Sequence, residues 1–366
     1  MSLTGADMQA HRAAILAATG GPRDLPATGA LLEDWLSQRS GNTTSVGALR
    51  TPDGAGVSNE TVLFDATWVE EGAGPVRRPL ALRVAPTAVR LFPDPLFEQQ
   101  YQLLDQLHRR NLVRVAAMLW FEPDPSLLGA PFFVIGGLEG RVPISSPVYN
   151  AAGWLFDATP EQRRTAWTAA VTELTRIHRV PVDVYRFLDR PELGATGNQQ
   201  QLGYWERYCD WCSDGRPDES QLATGQWLRD HAPVGPGGLA WDDARIGNMM
   251  FDEQFALVGV MDWEQVSSGG ARHDLGWWLY FDHFHSTAQG VARLPGLGDR
   301  DETVSLWETL TGESAGDLSW YEAFAGHKLA LISIRTLLAM GHPMQRALAL
   351  TAGIRARVRE VGGIDS

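Results

Sequence analysis

The sequence predicts an α+β fold in which strands are concentrated in the N-terminal third and helices fill most of the remainder. The clearest strand covers residues 60–69, where apolar and polar side chains alternate and Val62, Phe64, Ala66 and Trp68 share one face. Residues 80–84 indicate a further strand, and from about residue 141 the composition becomes helical and aromatic. A length of 366 residues suggests two domains or one two-lobed unit.

The other elements follow from periodicity and from helix-start signals. Residues 1 to about 40 are predicted to be helical, because Leu31, Leu32, Trp35 and Leu36 recur at helical spacing. Thr159-Pro160-Glu161-Gln162 is a capping box with proline at the first helical position, so a helix begins there. Further predictions are a helix over 95–109, strands over 113–121 and 131–138, an irregular helical insertion over 182–236, and helices over 275–284 and 320–340.

Composition and charge narrow the classes of partner. The formal net charge of -13 argues against a protein that binds nucleic acid, since such proteins carry basic surfaces. No apolar run is long enough to span a membrane, and the N-terminus lacks the basic-then-apolar pattern of a signal peptide. A cytoplasmic location is therefore the default expectation.

Cys209 and Cys212 lie in a helical, aromatic setting with no second ligand pair nearby, which favours two ordinary thiols over a zinc site.

One stretch combines the groups that a magnesium site requires. In residues 239–251 and their continuation 258–264, two apolar runs flank a polar loop and predict a strand, a loop and a strand. The loop carries Asp243 and, five positions later, Asn248, and the second strand ends at Asp262. Mg²⁺ prefers oxygen ligands and keeps places for substrate phosphates, so Asn248 and Asp262 can hold it. Asp243 is then free to accept a proton from an attacking hydroxyl. The competing interpretation is a polar turn, since Asp and Asn both favour turns.

This stretch resembles the His-Gly-Asp-x-x-x-x-Asn signature of the aminoglycoside phosphotransferase and choline-kinase-like family, followed by that family's Asp-Trp-Glu metal motif. The resemblance implies a two-lobed protein-kinase-like fold, with an antiparallel-sheet N-lobe over 1–135 and a hinge and mostly helical C-lobe over 136–366. It also implies ATP- and Mg²⁺-dependent phosphorylation of a small-molecule hydroxyl. Asp243 would be the catalytic base, Arg245 would offset charge or contact the transferred phosphate, and Asp274 would brace the catalytic loop.

The resemblance also suggests where nucleotide binds. The loop before residue 60 would cover the phosphates and offers the polar groups of Ser58 and Asn59. Kinase-like folds usually place a lysine on the third strand, but the only lysine here is Lys328, so Arg83 takes the role of phosphate clamp. Its partner on the following helix is expected to be Glu98, although the helix register could equally place Gln100 there. The hinge residues Gly137 and Leu138 would bind adenine through their backbone groups.

The sequence departs from the family signature in two places. Trp241 stands where the family has His, and Asp242 stands where it has Gly. Because neighbouring residues of an extended loop point apart, Asp242 is expected to face away from Asp243. Three alternatives remain open: GTP as the phosphate donor, a hydroxyacyl thioester as the acceptor, and a nucleotide-binding pseudoenzyme that has lost catalysis.

Overall fold

The computed structural model describes residues 23–52, 59–70, 72, 74–87, 90–235 and 237–364. These residues divide into two compact units. The N-terminal unit comprises residues up to 111 together with 115–139, and the C-terminal unit comprises 112–114 and residues from 140 onward. The sequence placed the division after residue 135, whereas the chain passes from one unit to the other between residues 139 and 140. Residue 137 stays with the N-terminal unit because the Gly137 amide donates to the Pro79 carbonyl at 2.8 Å.

The N-terminal unit is built on a five-stranded antiparallel sheet. Its strands are β1 (Ser45–Val46), β2 (Glu60–Glu70), β3 (Gly74–Val84), β4 (Met118–Glu122) and β5 (Phe132–Gly136). They lie in the order β1-β2-β3-β5-β4. The helices of this unit are α1 (Leu25–Ser40) and α2 (Phe97–Arg109). The predicted strand over 113–121 begins later than expected, because residues 112–114 belong to the other unit. There the Arg114 carbonyl accepts from the Val260 amide at 2.8 Å.

Both faces of this sheet are covered. On one face α1 contributes Leu32, Trp35 and Leu36 to a core that also contains the predicted inward face of β2, namely Val62, Phe64 and Ala66. On the other face, α2 packs Phe97 against Met118 and Phe133. The alternation read from residues 60–69 is therefore confirmed, since one side of β2 is buried and its other side is only partly covered. The N-terminal unit positions Arg83 directly opposite Thr61 in the β2–β3 register.

The C-terminal unit is mostly helical. Its helices are α3 (Trp154–Asp157), α4 (Pro160–His178), α5 (Val182–Tyr185), α6 (Gly197–Cys212), α7 (Glu219–Asp230), α8 (Ala271–Phe284), α9 (Arg300–Thr311), α10 (Ser319–Ala339), α11 (Met344–Leu350) and α12 (Ala352–Gly362). A short hairpin joins β6 (Met249–Phe251) to β7 (Leu257–Val260). Helix α10 is the centre of the unit and packs against α8, α12 and α6. The predicted capping box at Thr159 is present and starts α4.

Cys209 and Cys212 lie buried in α6 as free thiols, and burial raises the pKa of Cys209 to about 12 and that of Cys212 to about 11. They are thus ordinary core thiols, as predicted. Among the described residues, none of the helices combines the length and the apolar character that crossing a bilayer requires.

Candidate active site

The loop that carries Asp243 and Asn248 lies between residue 240 and strand β6. The predicted first strand is wrong in its extent, because residues 238 and 240 make only isolated bridges to Gly269 and Ser267. The second half of the prediction holds: a 3-10 turn over Ile246–Asn248 leads into β6, and β7 returns beside it. The Met261 amide donates to the Asn248 carbonyl at 2.9 Å, so the hairpin brings Asp262 next to the loop.

Asp274, at the start of α8, holds the backbone of the loop by hydrogen bonds. Its two carboxylate oxygens accept the backbone amides of Trp241 at 2.9 Å and Asp242 at 2.6 Å. His178 lies 3.0 Å from the same carboxylate, and Trp307 donates to the other ring nitrogen of His178 at 2.9 Å. That second bond assigns the proton of His178 to Nε2, which then donates to Asp274. His178 therefore belongs to the support of the loop.

Trp241 takes the place of the family histidine by hydrogen bonding as well as by packing. Its side chain is fully buried, and the indole N–H donates to the carbonyls of Met261 at 2.9 Å and Asp262 at 3.0 Å. The ring also lies beside Trp263, with centroids 5.9 Å apart. Trp241 thus ties the loop to the end of β7, the segment that delivers Asp262.

Asp242 occupies a position that a glycine would adopt without strain. Its φ of 65° lies in the left-handed region, which Asp tolerates better than most residues. The side chain is 1% exposed, and its carboxylate accepts from Lys328 Nζ at 2.8 Å, from Gln201 Nε2 at 3.1 Å and from Ser267 Oγ. None of these donors bonds to the Asp243 carboxylate, so the two neighbouring acids point into different surroundings, as the sequence suggested.

Asp243 is held by two donors on one oxygen. Trp277 Nε1 donates to Oδ1 at 2.9 Å, and Arg245 Nε donates to the same oxygen at 3.2 Å. Burial is the main cause that raises the pKa of Asp243, and the Asp262 charge raises it further, whereas Arg245 opposes both. Both donors bond to Oδ1, and the carboxyl group is less acidic than usual, which suits a proton acceptor.

Asn248 and Asp262 provide the oxygen chemistry of a magnesium site. Asn248 is 2% exposed, and its amide nitrogen donates to the Asp243 carbonyl at 3.2 Å, which orients the side chain. Asp262 adopts a φ of 54°, a rare conformation that is found preferentially at functional sites. Among the residues that the structure describes, no group of three His, Cys, Asp or Glu side chains could hold a metal ion. An amide and a carboxylate nevertheless fit Mg²⁺, which keeps several waters and phosphate oxygens as ligands.

The predicted nucleotide-binding residues lie in the N-terminal unit. Arg83 is partly buried, and its Nη1 donates to Thr61 Oγ1 at 3.1 Å. Glu98 is exposed and accepts from Gln102 at 3.2 Å, whereas Gln100 is 3% exposed and its Nε2 has no hydrogen-bond partner among the described residues. Of the two residues predicted as the partner of Arg83, helix α2 therefore buries Gln100 and leaves Glu98 exposed.

The remaining predicted nucleotide contacts differ in how far the structure describes them. Asn59 is buried at the start of β2, and Ser58 lies outside the described residues. Leu138 is partly exposed. The Gly137 amide is already used by Pro79, and a Cβ at this glycine would lie 2.9 Å from the proline side chain. Gly137 therefore packs closely on β3, so its amide proton is not available to hydrogen-bond the adenine of a nucleotide.

A pocket opens beside Arg245 in the C-terminal unit. Most of its lining is aromatic or apolar: Tyr149, Trp167, Ile246, Trp278, Phe281, Leu297 and Gly298. Its charged lining groups are Arg245 and Asp282, and Arg293 holds both Asp282 oxygens at 2.9 to 3.0 Å. Aromatic and apolar residues thus make up most of the lining, and Arg293 pairs with the carboxylate of Asp282.

Several functional candidates escaped the sequence analysis. Lys328 was noted only because it cannot serve as the strand lysine, and Trp277 was counted with the helix of residues 275–284. The available signal for Trp277 was its spacing, three residues after Asp274 on one helix, which places both side chains on the same face. The signal for Lys328 was a lone charge in an otherwise apolar stretch, because such a charge must be paired when it is buried.

Comparisons with known proteins agree with this geometry. The sequence model of the phosphotransferase enzyme family matches residues 50–343. Among curated proteins, the chain is 27% identical over 233 residues to a protein of Arabidopsis thaliana named "Probable acyl-CoA dehydrogenase IBR3", with 61% of this chain and 26% of that protein covered. The chain spans about a quarter of the length of that relative.

Solved structures show the same fold. A candidate aminoglycoside phosphotransferase from Ralstonia eutropha has a TM-score of 0.62 at 22% identity, with 91% of this chain and 95% of that chain covered. A mutant of aminoglycoside phosphotransferase APH(4)-Ia in complex with ADP and hygromycin B has a TM-score of 0.53 at 14% identity, with 92% and 99% covered. A macrolide 2'-phosphotransferase has a TM-score of 0.53 at 16% identity, with 98% of both chains covered. The predicted kinase-like α+β fold is therefore confirmed.

Proposed function

Because the chain belongs to the phosphotransferase enzyme family, we propose that it transfers the γ-phosphate of ATP to a hydroxyl group of a small molecule. The observation that carries this proposal is the state of Asp243. Its carboxyl group is buried and held by Trp277 and Arg245, its pKa is raised, and the two magnesium-type ligands Asn248 and Asp262 are neighbours in the same hairpin. A merely polar turn would need none of these supports.

In this mechanism Asp243 accepts the proton of the acceptor hydroxyl through the carboxylate oxygen that Trp277 and Arg245 leave open. The hydroxyl oxygen forms a bond to the γ-phosphorus, the bond between that phosphorus and its bridging oxygen breaks, and ADP leaves. Asn248 and Asp262 would hold Mg²⁺, which when bound neutralises charge on the phosphates. The protein's main contribution is to place these groups in advance, since such transfers depend mostly on positioning and electrostatic stabilisation.

Arg245 has two roles in the proposal. Its guanidinium contacts Asp243 and also donates to Ser145 Oγ at 3.1 Å, so it is fixed between the base and the pocket described above. There its charge opposes the rise that burial causes in the pKa of Asp243, and the guanidinium can also approach the transferred phosphate. Arg83 is proposed as the phosphate clamp of the N-terminal unit, with ATP as the donor and GTP as the alternative that a direct comparison decides.

A hydroxyacyl thioester is the second candidate for the acceptor, in place of an aminoglycoside. Two observations favour it. The pocket beside Arg245 is aromatic, and its carboxylate is neutralised by Arg293, whereas a polycationic aminoglycoside would be matched by unneutralised acidic groups. In addition, the relative from Arabidopsis thaliana carries a name from acyl thioester chemistry. Both observations suit an acceptor with an apolar body.

The experiment that tests the function measures ADP release with Mg²⁺ and either ATP or GTP across three acceptor panels: hydroxyacyl thioesters, their free hydroxy acids, and aminoglycosides. Phosphorus NMR of the product identifies the phosphate ester. Asp243→Asn should reduce turnover by roughly 100- to 10,000-fold, the usual contribution of a general base. The matched control is Asp252→Asn in the β6–β7 turn, where one carboxylate oxygen only caps the amides of Gln254 and Ala256.

The outcomes separate the candidates. Turnover of Asp243→Asn within tenfold of the unchanged protein would contradict its role as base. Product only from the aminoglycoside panel would contradict the thioester proposal. Nucleotide binding, measured by thermal shift, without any turnover would favour the pseudoenzyme.

A further inference from the structure

The chain contains a single lysine, and that lysine is buried beside the catalytic loop. Lys328 lies in the middle of α10 and is 2% exposed, although most of the residues of that helix are apolar. Its Nζ donates to Asp242 Oδ1 at 2.8 Å and to the Asp242 carbonyl at 3.3 Å. The residue that replaces the glycine of the family signature thus has a dedicated cation.

The same ammonium group lies on the faces of two indole rings. The distance from Nζ to the ring centroid is 4.7 Å for Trp277 and 5.1 Å for Trp205, both within the range of cation–π attraction. Trp277 is also the residue whose N–H donates to Asp243 Oδ1. One ring therefore contacts the lysine through its face and the proposed base through its edge.

These contacts connect Lys328 to Asp243 by two routes, through the backbone of Asp242 and through the Trp277 ring. We propose that Lys328 is a positioning residue for phosphoryl transfer: it holds Asp242 and Trp277 so that the Asp243 carboxylate stays aimed at the acceptor. This proposal rests on the proposed function of Asp243 as base. It also gives the Asp242 departure a physical meaning, because a second carboxylate in the loop is tolerated only when a cation neutralises it.

The chemistry of lysine suits this place better than that of arginine. An ammonium is a compact point charge with three donors, so it fits between two indole faces and a carboxylate, whereas a planar guanidinium is larger and directs its donors into one plane. Of the 31 basic Lys and Arg residues only this one is lysine. A buried ion pair is by itself weak evidence for stability, since apolar replacements of both partners are often equally stable. Placement of Asp243 is the more specific consequence.

The test compares Lys328→Met, Asp242→Gly and the double variant with a control on the same helix. The control is Glu322→Gln, which breaks the ion pair between Arg300 Nη2 and Glu322 Oε1, 2.6 Å apart, without contact to the loop. Lys328→Met should lower kcat more than tenfold while the KM for nucleotide changes less than threefold, as expected when a group near the reacting atoms is displaced. In the double variant, which removes both charges and keeps the backbone of the loop suited to glycine, kcat should exceed that of either single variant. Glu322→Gln should leave kcat within twofold.

A second readout does not depend on turnover. The indole ¹H–¹⁵N signal of Trp277, assigned with Trp277→Phe, reports its hydrogen bond to Asp243. This signal should move in Lys328→Met and stay in place in Glu322→Gln. A folded Lys328→Met protein with an unchanged Trp277 signal, or with kcat within twofold of the unchanged protein, would overturn the proposal. If instead the signal moves but the unchanged protein phosphorylates no acceptor, the proposed function fails and the positioning of Asp243 stands.

Discussion

Asp274→Asn is the sharpest test of how the proposed catalytic loop is held. The Asp274 carboxylate is fully buried and accepts three hydrogen bonds, from the amides of Trp241 and Asp242 and from His178. An asparagine has only one accepting oxygen. Its NH₂ group must therefore face at least one N–H donor, whichever way the amide is turned. In the better orientation the oxygen keeps Trp241 and His178, and the Asp242 amide loses its partner.

The magnitude follows from these contacts. A hydrogen bond to a charged group contributes about 1.5 to 3 kcal/mol, and a neutral one about 0.5 to 1.5 kcal/mol. Losing one charged bond and converting two others to neutral ones, at about 1 to 1.5 kcal/mol each, thus costs about 3.5 to 6 kcal/mol. The smaller desolvation cost of the neutral amide reduces this to about 3 kcal/mol. For a unit of this size the melting temperature should fall by roughly 6 to 12 °C. Displacement of the loop by about 1 Å should lower kcat by roughly a hundredfold.

Glu173→Gln provides the matched control for this experiment. Glu173 is also fully buried and accepts the Arg114 amide at 2.6 Å and the Arg114 guanidinium at 2.6 Å, but it does not touch the loop. Both variants should lose stability in thermal unfolding monitored by circular dichroism, and only Asp274→Asn should lose kcat at a temperature where both are folded. Equal kcat values for the two variants would refute the conclusion that Asp274 positions the catalytic loop.

Three further predictions concern the metal, the nucleotide and the proton. Asp262→Ala should abolish the part of the thermal stabilisation by ATP that depends on Mg²⁺, because one carboxylate usually anchors this water-rich ion; an unchanged Mg²⁺-dependent shift would assign the metal to other residues. Arg83→Ala should weaken ATP binding by about tenfold to a hundredfold, since a charge-assisted contact contributes about 1.5 to 3 kcal/mol, and Arg83→Lys should restore part of it; equal affinities in a titration of all three forms would exclude a strand cation. The acidic limb of the kcat–pH profile should lie above the ordinary aspartate pKa of 3.8, because burial raises the pKa of Asp243. Arg245→Met should move this limb to still higher pH, because the Arg245 charge opposes that rise. A shift of the limb to lower pH in this variant would contradict the assignment of Asp243 as the base.

The same pKa shift has a consequence for stability. A carboxyl group with a raised pKa in the folded state binds its proton more tightly there than in the unfolded chain, so its contribution to stability falls as pH rises from the unfolded pKa through the folded one. Above that window the ionised Asp243 lowers the stability of the fold. Asp243→Asn is therefore expected to remain folded at neutral pH while it loses activity, which is the signature of a functional group and not of a structural one.

The sequence by itself determined those parts of the fold that depend on residues close to one another along the chain. Alternation over residues 60–69 predicted a half-buried strand, because successive side chains of a strand point to opposite faces, and β2 buries the predicted face against α1. Two apolar runs around the loop of Asp243 and Asn248 predicted a strand, a loop and a strand, and the β6–β7 hairpin brings Asp262 next to that loop. Both are local patterns that the chain carries whatever surrounds them.

Only the tertiary structure decided how those local pieces are held. Asp242 and Lys328 are 86 positions apart, and His178 and Asp274 are 96 positions apart, yet each pair is in direct contact. No periodicity encodes such a pairing, because it arises from the packing of α10, α8 and α4 around the loop. The left-handed backbone at Asp242 is likewise visible only in the folded structure, and it explains why the family has glycine at that position. The burial of the Asp242 carboxylate explains why it needs a buried cation as its partner.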